Sequence, residues 1–136
     1  MKIAVILFLA FTIISCNEKK ESTEKNKIES LIENAEKQLN AESSTMVERD
    51  ENVKEQGFKK VLNIDFIGCK SIDLMDRSLK EMTKLLALEL KNNMPGSEKI
   101  DMYKIRLLKD PNDTTPSKSG FNVQEKGFTY YREDLN

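Results

Sequence analysis

Met75, Leu79, Met82, Leu86 and Leu90 recur at spacings of four, three, four and four. Only an α-helix places residues so spaced on one face. Leu74, Leu85 and Leu88 broaden the stripe. The pattern predicts a helix over about 72–93, capped by Ser71 or Asp73 and stopped by Met94-Pro95-Gly96. On both sides of it the period changes to two. Leu62, Ile64 and Phe66 alternate with Asn63 and Asp65, and Tyr103, Ile105 and Leu107 alternate with Lys104 and Arg106. This is the signature of half-buried strands. Phe121 and Val123, then Phe128 and Tyr130, flank Gln124 to Gly127, which predicts a hairpin with Gly127 at its turn. Such elements bury their apolar faces together most economically as a sheet with the helix across one face. The expectation is an α+β domain over 58–136, with a small sheet of about four strands packed against one long helix.

The preceding stretch, 24–57, is polar. Ile28, Leu31, Ile32, Ala35 and Leu39 still recur at helical spacing. They predict an amphipathic helix over about 24–40, with Ser22 or Thr23 as N-cap. Its narrow stripe suits a helix lying on the domain or a solvated stalk. A self-association seam is the other reading, but two heptads are too few for a coiled coil. Thr45 and Glu48 have capping-box spacing, which predicts a second short helix over 45–56. Residues 16–23 read as a flexible tether.

The first sixteen residues have a different character. Lys2 precedes an apolar run from Ile3 to Ile14, then Ser15-Cys16, and polarity begins at Asn17-Glu18-Lys19-Lys20. A cationic start, a short apolar core and a small residue before the border make a secretory signal. The core is too short for a transmembrane helix, which needs about 20 residues. Ile13-Ile14-Ser15-Cys16 resembles the lipobox of bacterial lipoproteins. That resemblance covers only Met1 to Cys16. It implies removal of 1–15 and attachment of a diacylglyceryl group to the Cys16 sulfur, usually followed by acylation of the new amino terminus. Two or more acyl chains hold a protein firmly, where one binds reversibly. In such proteins an aspartate after the lipidated residue favours inner-membrane retention; here Asn17 stands there. The expected location is the cell envelope, at the outer membrane if the host has one.

Composition narrows the rest. The chain has 136 residues, 33% of them charged, with a formal net charge of −1. No basic run exceeds a pair, so nucleic-acid binding has no electrostatic footprint. Histidine is absent, which removes the commonest general base and metal ligand. With Cys16 committed to lipid, Cys69 has no intramolecular disulfide partner. It reads as a buried thiol or an intermolecular bridge.

No constellation downstream marks a chemistry. Asp110 to Asp113 invites a calcium-loop reading, but the required glycine and glutamate positions hold Thr115 and Phe121. Asn112-Asp113-Thr114 matches the Asn-x-Thr acceptor, which would be modified at Asn112, and Asp113-Thr114-Thr115 resembles a short bacterial O-glycosylation motif, which would be modified at Thr114. Asp73 and Asp76 stand three apart, where they could do acid–base work or simply meet a helix dipole. A Ser71 dyad with Lys70 or Lys80 is conceivable. The five glycines have no phosphate-cradling spacing, and nothing calls for a cofactor or a metal. Tyr130 and Tyr131 point to opposite faces of a strand, so one is exposed, and tyrosine beside Arg132 has the composition of an interaction hot spot. The reading is therefore a membrane-anchored, non-enzymatic binding module, with Tyr130, Tyr131 and Arg132 as candidate contacts for an envelope protein. A small envelope enzyme acting on cell-wall or lipid substrates is the rival. A structural spacer, requiring a continuous helix over 24–56, is the third reading.

Overall fold

The computed structural model describes residues 22–113 and 124–136. The expected signal over 1–15, Cys16, Phe121, Val123 and Thr114 lie outside them. The described fold is α+β, a four-stranded mixed sheet with two helices. The strands are β1 (Ser43–Val53), β2 (Gly57–Ile67), β3 (Met102–Leu108) and β4 (Glu125–Tyr131), side by side in sequence order. α1 covers 22–39 and α2 covers Asp76–Asn93. β1–β2 and β3–β4 are antiparallel, whereas β2–β3 are parallel. Parallel neighbours need a crossover connection, and α2 supplies it.

Alternation sets the two faces of the sheet. Leu62, Ile64 and Phe66 of β2, Tyr103, Ile105 and Leu107 of β3, and Tyr130 of β4 are buried with Leu79, Leu86, Ala87 and Leu90 of α2. Ile28, Ala35 and Leu39 of α1 join the same cluster. α1 is thus part of the core and not a stalk. It is helical already at Ser22, so its cap lies outside the described residues. Asn40 ends it in the left-handed conformation at φ 52°.

Several expectations are corrected. The segment over 45–56 is not a helix: β1 occupies most of it, so the polar helical segment does not extend to residue 57 and the sheet begins at Ser43. Thr45 and Glu48 lie opposite Asp65 and Leu62 on β2, and Asp50 and Glu51 face Lys60 and Lys59. Cross-strand pairing of opposite charges suits this edge. The spacer reading loses the continuous helix it needed. Gly127 is not at a turn; it sits inside β4 opposite Arg106. The helix predicted from residue 72 begins at Asp76. Lys70–Asp73 forms a separate 3-10 turn, and Leu74 and Met75, Leu74 being extended, separate it from α2. Ser71 and Asp73 therefore do not cap α2; its N-cap is Met75, without a side-chain hydrogen bond. Asp73 and Asp76 share no helical turn, and Asp76 pairs with Lys126 at 2.8 Å.

Cys69 is buried, its Sγ donating to the Leu39 carbonyl at 3.1 Å. Burial pushes its pKa above the ordinary thiol value, against a smaller opposing hydrogen bond at Ser71. Only the thiolate reacts with alkylating agents. Iodoacetamide at pH 8 should label Cys69 about 100-fold more slowly in the folded chain than in urea. Peptide mass spectrometry reads this directly, and equal rates would show an accessible thiol.

Candidate functional site

Tyr130 and Tyr131 do fall on opposite faces. Tyr130 points into the helix layer and is only 8% exposed. Its hydroxyl lies 2.6 Å from Thr83 Oγ1 and donates to the Lys80 carbonyl at 2.8 Å. Tyr130 is thus a structural tie between β4 and α2, and it leaves the set of candidate contacts.

Tyr131 and Arg132 are half-buried and stand together at the end of β4. They line a cavity of about 480 Å³ with Lys59, Lys91, Asp101 and Glu133. Each residue is there for a local reason. Lys59 precedes Val61, the first residue of β2 that pairs with β3. Lys91 is in the last turn of α2, where a cation meets the helix dipole favourably. Asp101 leads into β3, its carboxylate accepting from the Lys60 amide at 2.8 Å. The Arg132 amide donates to the Asp101 carbonyl at 2.9 Å.

The cations of this basin are held by neutral groups. Lys91 Nζ donates to the Leu135 carbonyl, and Arg132 donates to the Ser97 carbonyl. Among the described residues, neither they nor Lys59 form an ion pair with a carboxylate. Elsewhere the sheet's open face is internally neutralised. Arg106 forms a two-pronged pair with Asp65, one contact at 2.8 Å, and reaches Glu125 at 3.6 Å. Lys104 pairs with Glu51, which also accepts from Asn63. The Lys104 hydrogen bond holds the Glu51 carboxyl below its ordinary pKa, against a smaller desolvation cost.

Other hollows occur among the described residues. One, of about 460 Å³, lies between the helices over Leu31, Ala35, Met82, Leu85 and Leu86. Another places Asp76 among Arg77, Lys80 and Lys126. No hydrogen bond joins Ser71 to Lys70 or Lys80 among the described residues. No group of three or more metal-ligating side chains occurs among them, and none of their helices is long and apolar enough to cross a membrane.

The basin is only partly legible in the sequence. Tyr131 and Arg132 were singled out by composition. Lys59, Lys91, Asp101 and Glu133 carried no local signal, because the topology gathers them from four separate segments.

No protein-family model matches this chain, and neither the curated proteins nor the solved structures contain a significant match.

Proposed function

We propose that this chain is an exported lipoprotein, held in the envelope by lipid on Cys16, whose domain is a non-enzymatic binding module for another envelope component. The observation that carries the binding reading is the basin at Tyr131 and Arg132. It joins an aromatic side chain to three cations that have no carboxylate partner among the described residues. Aromatic and arginine side chains are the usual anchors of recognition surfaces. The anchoring reading rests on the layout of Met1 to Cys16, with Asn17 favouring the outer membrane. A tethered domain meets its partner at a raised effective concentration, so modest affinity suffices.

The test is in-cell crosslinking of the full chain from a photoreactive residue at position 131, read by mass spectrometry of solubilised envelopes. One dominant adduct is expected. It should fall about tenfold in Arg132→Ala and vanish from the membrane fraction in Cys16→Ser. A thermal melt of Arg132→Ala checks that the fold survives loss of the Ser97 contact. Undiminished adduct in a folded Arg132→Ala would remove the basin from the binding surface.

A further inference from the structure

The basin lies at the end of the molecule where the described chain begins, at Ser22. β2 and β3 run parallel and both begin at that end. α2 returns between them and finishes there. α1 starts there too, since Lys27 Nζ donates to Asn93 Oδ1 at the last residue of α2, at 2.5 Å. With the proposed cleavage before Cys16, six residues, Cys16 to Glu21, would separate the lipid from Ser22, the first described residue. Fully extended, six residues span at most about 20 Å. The same end carries Phe58, on the part of β2 that overhangs β3 and 77% exposed.

We infer that the basin receives the headgroup of a phospholipid from the membrane that anchors the chain. The phosphate would sit among Lys59, Lys91 and Arg132, with Phe58 at the bilayer interface. This rests on the lipidation of Cys16. Lys91 and Arg132 each commit one donor to a carbonyl, but an ammonium has three N–H groups and a guanidinium five. Donors therefore remain for a phosphate, and Arg suits its oxygens two at a time. Asp101 and Glu133 on the same lining make the basin zwitterionic. That suits an ethanolamine headgroup, whose ammonium meets the carboxylates while its phosphate meets the cations. A volume of about 480 Å³ is within the range of small-molecule sites, roughly 300–1,000 Å³. Exposed apolar side chains beside cations are the composition of surfaces that lie in a membrane interface.

The experiment places the full-length lipoprotein in phosphatidylethanolamine nanodiscs doped with a lipid bearing a photoreactive headgroup. Adducts are expected on basin residues and should fall about tenfold in Lys59→Gln combined with Lys91→Gln. Lys59 makes no side-chain hydrogen bond among the described residues, so Lys59→Gln alone tests the site without removing one, and a thermal melt checks that losing the charge opposite Glu51 leaves the fold intact. Adducts confined to residues before Ser22 would overturn the inference and leave the anchor standing. Protein that does not stay with the nanodiscs would overturn the anchor itself. A protein adduct at position 131 in cells, with no lipid adduct in nanodiscs, would support the binding module and overturn the lipid as its ligand. Amide exchange of the basin is then compared in nanodiscs and in neutral detergent with millimolar inorganic phosphate. Protection in nanodiscs alone assigns the lipid. Equal protection by phosphate in detergent assigns a soluble ligand and overturns the inference.

Discussion

Leu39→Ala should destabilise the domain by about 2–5 kcal/mol, the cost of emptying a buried leucine site. Leu39 is the last residue of α1 and is 2% exposed. Its side chain packs in the cluster formed by β2, β3 and α2, and its carbonyl accepts the Cys69 thiol. Small domains hold only about 5–15 kcal/mol in total. The loss should lower Tm by more than about 10 °C for a chain of this size. Glu33→Ala, on the exposed side of the same helix, should stay within about 0.5 kcal/mol. Urea titration of both variants reads the contrast. If α1 were a detached stalk, both substitutions would act alike and weakly. A large Leu39 effect also means that α1 is a fixed part of the domain and does not move independently of the sheet.

The helix of Met82, Leu86 and Leu90 was legible because each turn repeats the apolar face. β2 and β3 were legible because one face of each is buried and the other is wet. β1 was not, and the reason is its position. As an edge strand it is mostly exposed on both faces, so no alternation is imposed on it. Its Glu48, Arg49, Asp50 and Glu51 belong to the charged edges that discourage further strand pairing. In sequence those residues read equally well as a polar helix, and the Thr45–Glu48 spacing reinforced that error. The turn that makes β1 a hairpin partner is also unadvertised. Glu55 takes a left-handed conformation at φ 68°, and Gly57 follows at φ 75°. Only the glycine is an obvious signal. Gly127 was misread for the opposite reason. It looked like a turn, yet it sits opposite Arg106, whose side chain reaches Asp65 and Glu125. The basin was half legible: composition finds Tyr131 and Arg132, but only the parallel β2–α2–β3 crossover brings Lys59 and Lys91 to them.

The domain should unfold in alkali, and the sign follows from three buried acids. Burial raises the pKa of Tyr103, Tyr130 and Cys69. At Tyr103 the nearby Arg132 opposes this to a lesser degree, and at Tyr130 the Thr83 hydrogen bond does. In the unfolded chain tyrosine titrates near 10. Above that, the unfolded state has released protons that the folded state still holds. Stability present below pH 10 is therefore lost as pH rises from 10 toward the raised folded values, and for Cys69 the loss begins near the lower thiol value. Each group contributes a slope of at most about 1.4 kcal/mol per pH unit. Tyr103 and Tyr130 are direct cross-strand neighbours, but their hydroxyls differ. The Tyr103 hydroxyl is buried with no hydrogen-bond partner among the described residues, whereas Tyr130 is tied to Thr83 and Lys80. An unpaired buried polar group costs about 1–3 kcal/mol. Tyr103→Phe should therefore leave stability at pH 7 unchanged or higher and flatten the alkaline loss. Tyr130→Phe should cost about 1–2 kcal/mol at pH 7 while flattening the same limb. Denaturant midpoints of both variants at pH 7 and above pH 10 measure the four values. A Tyr103→Phe chain that weakens at pH 7 would mean its hydroxyl is bonded, most simply to a buried water beside Arg132.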